Sequence, residues 1–170
     1  STILAMVNAM QQIPRPISAR VIQILGGAGE PQAKVHAAYL ASRLAELVRG
    51  KVTFLPAPGL VDSADVRQVL LSETSISEVI KSFDEITLAL VGIGTVEPSP
   101  LLASSGNIFS DEELDMLRQK GAVGDILYRF YDAEGSPVQT PLAERVTGMD
   151  HAQLRRVKRV VGIAGGARKF

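Results

Sequence analysis

The sequence of 170 residues predicts an α/β fold: a Rossmann-like, open, mostly parallel sheet with helices on both faces. Three observations predict it. Short β-branched runs alternate with longer segments of helical periodicity, the order that βαβ units produce. Ile86-Thr-Leu-Ala-Leu-Val91 is almost continuously apolar, as expected of a strand buried on both faces. Glycine-rich turns at Gly26-Gly27, Gly92-Ile-Gly94 and Gly165-Gly166 follow predicted strands. Open α/β sheets bind ligands at those carboxyl ends.

The elements follow in order. Residues 2–12 read as a helix with Ile3, Met6, Val7 and Met10 on one stripe. A strand over 20–25 ends at Gly26-Gly27. A long helix spans 31–48, with Pro31 in a tolerated first-turn position and Gly50 as its stop. Residues 52–55 form a second strand, broken by Pro56 and Pro58. Asp62 is placed to cap a helix through Leu71, and Ser75 to start another through Phe83. After the strand over 86–91, the Pro- and Ser-rich stretch 95–106 reads as a loop. Ser110 with Glu113 has the spacing of a capping box. Residues 125–131 are expected as one strand, 132–135 as a turn, Asp150 as the cap of a short helix, and 160–164 as a last strand.

The bulk numbers restrict function. Eighteen basic and eighteen acidic residues cancel, whereas a nucleic-acid-binding domain is normally basic in clusters. The chain has no cysteine, which excludes disulfides and thiolate metal sites and fits a cytoplasmic location. His36 and His151 lie far apart without metal-ligand spacing, so no metal is expected. No apolar run approaches the roughly 20 residues of a membrane span, and the first residues lack a signal-peptide pattern. The ends are abrupt, and the sequence reads as one domain (1–170) of a longer protein.

The candidate ligand residues each have a plainer reading. Gly26-Gly27-Ala-Gly29 lacks the full GxGxxG pattern and its acidic partner, so no dinucleotide cofactor is expected. Its glycines present bare N–H groups to ligand oxygens, or serve only a tight turn. Asp125 accepts sugar hydroxyls, or caps a loop. Arg129, four residues on in the same expected strand, shares Asp125's face and meets a phosphate, or stands on the surface. Lys169 lies at an expected helix N-terminus, where a lysine is unfavourable unless an anion is shared. Ser1 and Thr2 open a helix and hold an oxyanion, or merely cap. His36 sits near the Gly26-Gly27 turn, as a ligand contact or a capping group. The basic run Arg155-Arg-Val-Lys-Arg159 reads as a solvated face.

Several motifs together carry a resemblance. Gly121-Ala-Val-Gly-Asp-Ile126 leads into an aromatic run and Asp132-Ala-Glu-Gly135. Val91-Gly-Ile-Gly-Thr95 precedes it, and Ala164-Gly-Gly-Ala-Arg-Lys169 follows. Gln23-Ile-Leu-Gly-Gly27, Leu55-Pro-Ala-Pro58, Val61-Asp-Ser63 and Ser110-Asp-Glu-Glu-Leu114 fall in the same order. The whole resembles the effector-binding domain of SorC-type bacterial transcriptional regulators, which include the deoxyribonucleoside and central glycolytic regulators. The resemblance implies the fold of phosphosugar isomerases and deaminases and a sugar or phosphosugar effector. It implies operator DNA as a partner only through an N-terminal helix-turn-helix absent from this chain, and a homo-oligomer, dimer or tetramer. By motif, Ser1, Thr2, His36, Asp125 and Lys169 match the family's pocket positions; with Gly26, Gly27, Gly92 and Gly94 of the glycine turns they make up the expected effector set, with no catalytic residue. The competing reading is an enzyme, a phosphosugar isomerase or deaminase, with Asp125 and His36 as acid and base.

Overall fold

The computed structural model describes residues 2–27, 31–96 and 109–165, without the side chains of 31–36. Helix α1 (Thr2–Ala9) is shorter than its apolar stripe suggests and buries Val7. Strand β1 (Arg20–Ile22) leads to α2 (Pro31–Leu47), and β2 (Lys51–Thr53) returns parallel to β1, pairing Arg20 with Lys51. Arg49 adopts positive φ where α2 ends, and the Gly50 N–H reaches back to the Ala45 carbonyl.

Helix α3 (Ala64–Ser72) is capped by Ser63 rather than Asp62: the Ser63 hydroxyl accepts the Val66 N–H. Helix α4 (Thr74–Lys81) runs into a 3-10 turn at 82–85. Strand β3 (Leu88–Gly92) pairs in parallel with β7 (Arg159–Ile163), register Leu88 to Arg159. Between them lie β4 (Gly94–Thr95), α5 (Asp111–Gln119), β5 (Gly124–Ile126), β6 (Arg129–Tyr131) and α6 (His151–Arg156). Two other expected caps act as such: Ser110 and Glu113 close a capping box on α5, as do Asp150 and Gln153 on α6.

The sheet layout corrects the expectation. Among the described residues there are three small sheets: β1–β2 and β3–β7, both parallel, and an antiparallel β4–β5–β6. The fold is mixed α/β, without one continuous open sheet. Nor is 125–131 a single strand. It is a hairpin whose two-residue turn is Leu127-Tyr128. Strand β7 is not covered on both faces either, since Val160 and Val161 are exposed.

Two cores result. One joins Leu55, Ile76, Val79, Phe83, Ala89, Val91, Met149 and Leu154 from both parallel pairs and the helices over them. The other joins Val96, Leu114, Leu117, Ala122, Phe130 and Leu142 around the antiparallel sheet. The hairpin bridges them. Leu127 packs on the first core, and Phe130 lies within the second.

Candidate functional site

Gly94 and Asp125 are Cα partners across β4 and β5. Directly paired residues face the same side of a sheet. The Asp125 carboxylate folds over Gly94 and fills the space where a side chain would begin. A glycine is required there because any Cβ would overlap carboxylate oxygen. Oδ2 of Asp125 also accepts the Tyr128 N–H at 3.0 Å.

That bond holds an unusual turn. Leu127 and Tyr128 have φ of 57° and 60°, the left-handed pair a two-residue hairpin turn needs. Asn-Gly would adopt it readily, whereas a bulky residue costs about 1–2 kcal/mol in this region. Packing offsets the strain. Leu127 lies against the first core, and the Tyr128 ring meets Phe109 edge-on at 6.0 Å. Phe109 in turn meets Phe130 at 5.5 Å. Burial, then the Asp125 charge, pushes the Tyr128 phenol up from its ordinary range. The same two causes raise Tyr131, whose hydroxyl lies over the bare Cα of Gly124.

A second meeting point lies at the carboxyl ends of β3 and β7. A Cβ on Gly165 would stand 3.0 Å from Thr2 Cγ2 and 3.1 Å from Thr2 Oγ1. Gly92 faces Ile3 of the same helix at ordinary contact distance. The start of α1 thus rests on these strand ends, and Gly94 follows two residues after Gly92. Among the sequence-predicted residues, Gly94 and Asp125 thus meet directly, and Thr2 and Gly92 lie where α1 meets the ends of β3 and β7. Ser1 and Lys169 lie outside the described residues. His36 falls within α2, but its side chain is likewise outside them.

Gly26 and Gly27 are committed elsewhere. Their N–H groups donate to Thr147 O at 3.0 Å and Ala57 O at 2.9 Å, so neither offers a bare amide. A Cβ on Gly26 would stand 2.5 Å from Ala57 O and 2.6 Å from the Pro58 carbonyl. Close backbone packing is what this glycine serves. Beside it Thr147 is fully buried, its N–H bonded to Gly59 O.

Arg129 corrects a second expectation. Because the chain reverses at Leu127-Tyr128, Arg129 pairs with Ile126 while Asp125 pairs with Phe130. The two charged residues occupy opposite faces. Arg129 Nε reaches Met149 O at 3.3 Å and Nη1 reaches Ala143 O at 3.0 Å. Burial lowers its pKa, partly offset by Asp150. Its role here is to tie the loop before α6 to the hairpin. Arg156 of the basic run pairs at the surface with Asp84, at 3.0 Å.

Tyr128 and Tyr131 are the neighbours of Asp125 that sequence reasoning passed over. Their signal was present as the aromatic run after Gly124, legible only once the hairpin folds it back on Asp125. Among the described residues, no group of three His, Asp or Glu side chains is placed to hold a metal. No described helix is long and apolar enough to cross a membrane.

Comparison with known proteins bears on the family and the fold. The model of the sugar-binding domain family matches residues 1–170. The chain is 33% identical over 149 residues to the deoxyribonucleoside regulator of Bacillus subtilis, covering 88% of the chain and 47% of that protein. It is 36% identical over 121 residues to the transcriptional regulator LsrR of Klebsiella pneumoniae, covering 69% of the chain and 37% of that protein. The chain thus spans less than half the length of these relatives. Among solved structures, the full-length sorbitol operon regulator SorC of Klebsiella pneumoniae superposes with a TM-score of 0.85 at 25% identity. That match covers 98% of this chain and 54% of the other.

Proposed function

Since the chain belongs to the sugar-binding domain family found in SorC-, LsrR- and DeoR-type transcriptional regulators, we propose that it is the ligand-sensing domain of a sugar-responsive regulator. The effector is a sugar or phosphosugar. The observation that carries the site is the Asp125 carboxylate resting on the bare Cα of Gly94, two residues beyond Gly92 at the end of β3, with Thr2 of α1 against Gly165 after β7. A carboxylate accepts two hydroxyl donors, and vicinal hydroxyls are what a sugar presents. Ser1, His36 and Lys169 complete the proposed set, Lys169 supplying the charge for a phosphate. Gly26 packs closely on the Ala57-Pro58 backbone, and the amides of Gly26 and Gly27 are already given to Thr147 O and Ala57 O, not to a ligand.

Binding shifts the parent protein between two states only by the difference in its affinity for each. DNA contact belongs to a separate segment of the parent, and the parent works as a homo-oligomer in the cytoplasm. The enzyme reading is the weaker one. Tyr128 and Tyr131 lie within the field of the Asp125 charge, and Oδ2 of Asp125 is engaged in holding a turn. Isomerase or deaminase chemistry needs a mobile acid and base poised on the substrate.

A thermal-shift screen of pentoses, hexoses, polyols and their phosphates, with a turnover assay on each hit, tests this. A bound ligand at a hundredfold excess over Kd adds about 2.7 kcal/mol of stability. A selective shift without consumption supports the sensor. A hit that is converted overturns it in favour of the enzyme.

A further inference from the structure

We infer that the amino ends of the parallel strands form a basic face that docks on the phosphate backbone of duplex DNA. The choice of DNA rests on the reading of the parent as a DNA-binding regulator. The face adds a backbone contact, and sequence reading stays with the parent's separate DNA-binding segment.

The first ground is topology. Of the strands in the two parallel pairs, β1 opens on Arg20, β2 on Lys51 and β7 on Arg159. Arg20 and Lys51 are register partners, and the Arg159 N–H donates to Thr87 O at 3.2 Å, just before β3. Arg20 pairs with Glu85 and Arg156 with Asp84. Both parallel pairs and the last turn of α6 therefore converge on the single turn Asp84-Glu85. Arg155 and Lys158 belong to the run that leads from α6 into β7. Arg20 and Lys51 lie far from that run in the chain, so only the fold brings the cluster together.

The second ground is charge. The chain as a whole has no net charge, and an ordinary soluble surface intersperses both signs. On this face Arg20 and Arg156 engage the carboxylates of Glu85 and Asp84. Lys51, Arg155, Lys158 and Arg159 are exposed and form no ion pair with a described residue. A local excess of one sign draws in a polyanion and raises its rate of encounter.

The third ground is the fit to phosphate. Lysine meets a phosphate as a point charge and arginine in bidentate fashion, and contacts of this kind need no groove-reading element. Docking on an anionic bilayer takes an apolar helix face inserted beside the cations. The helix at this face, α6, turns Leu154 into the first core instead. The far ends of β3 and β7, where Gly92 and Gly165 meet α1, lie roughly 13 Å along the strands at about 3.3 Å per residue. DNA at the amino ends leaves that end uncovered.

The test is an NMR titration of this chain with a mixed-sequence duplex of roughly 20 base pairs, a length set by the span of about two helical turns. Anisotropy of the same duplex, labelled, is followed between about 50 and 200 mM salt. Amide shifts should concentrate at Arg20, Lys51 and the run from Arg155 to Arg159. The four cations without an ion pair predict that log K falls against log salt with a slope of about −3 to −4, which is about a hundredfold weaker binding across that range. Lys158→Gln combined with Arg159→Gln should reduce the slope by about two, and should leave the rise in melting temperature caused by a sugar unchanged. Lys51→Gln, on a different strand, should reduce it by about one, and decides alone should the double variant not fold. Shifts that avoid these positions, or a slope that the variants leave unchanged, overturn the face and leave the sensor reading standing. Tighter binding to vesicles of anionic lipid than to the duplex overturns DNA as the occupant. The sensor reading fails separately, in the sugar screen, through a hit that is consumed.

Discussion

The Asp125 carboxylate rests on the bare Cα of Gly94, its partner across β4 and β5, and from there holds the Tyr128 amide. Position 94 can be nothing but glycine while Asp125 keeps that rotamer. Gly94→Ala should displace the carboxylate, lowering stability by about 1–3 kcal/mol, the usual range for overpacking. Sugar binding should weaken at least about tenfold, one hydrogen bond to a charged group or more. Denaturant melts of Gly94→Ala, Asp125→Ala and the double variant check it. In the double variant the clash is gone, so the alanine at 94 should add almost nothing; additive losses would sink the explanation.

Gly26→Ala should act through a different clash. Its Cβ would meet backbone, Ala57 O at 2.5 Å and the Pro58 carbonyl at 2.6 Å, and backbone cannot rotate away. A loss of about 2 kcal/mol or more is expected. Because the Gly26 amide already serves Thr147 O, the substitution should affect folding and not intrinsic affinity. Urea melts and calorimetry on the folded fraction separate the two.

Arg145 joins α5 to the loop before α3. Its Nε donates to Val61 O at 2.7 Å and its Nη1 pairs with Glu113 at 2.5 Å, both side chains being about three-quarters buried. Glu113 is also the far half of the α5 capping box. Arg145→Ala leaves a buried carbonyl and a largely buried carboxylate with fewer donors, for a cost of about 1–3 kcal/mol. Glu113→Gln, which still accepts hydrogen bonds, should cost less; an Arg145→Ala midpoint equal to wild type would refute this.

His151 gives the domain a pH response. Burial, followed by Arg129 and Arg155, holds its pKa below the ordinary 6.5, with Asp150 opposing. The unfolded chain therefore binds the proton more readily than the folded one. The stability His151 contributes is whole above about pH 6.5 and is lost as pH falls through the depressed folded value. Urea midpoints between about pH 5 and 8 should fall at the acid end in the wild type, and less steeply in His151→Gln. Parallel curves would show that His151 does not titrate differently in the two states.

Much of this was legible in the sequence because it is local. Ser110 with Glu113, and Asp150 before α6, announce their capping by spacing alone, and the structure places both as expected. Gly92, expected after a strand, closes β3, and Gly165 follows β7, where the start of α1 rests. The hairpin was hidden because Leu127-Tyr128 carries none of the Asn-Gly chemistry that signals such a turn. Missing it put Arg129 on the wrong face of Asp125, since one reversal exchanges the faces. Whether a glycine amide is free is a tertiary fact. Gly26 and Gly27 donate to carbonyls 121 and 30 positions away in the chain, at Thr147 and Ala57.

The register of β3 with β7 has a consequence for the order of assembly. Leu88 to Gly92 align with Arg159 to Ile163, so the stretch that must be closed into a loop contains the entire antiparallel sheet and the second core. An unstructured loop of that length resists closure only a little more than a short one, since each doubling adds about 0.6 kcal/mol. A loop that first condenses around Leu117 and Phe130 brings its two ends together before they meet. On this account the segment proposed to read the ligand would also shorten the search by which β7 finds β3.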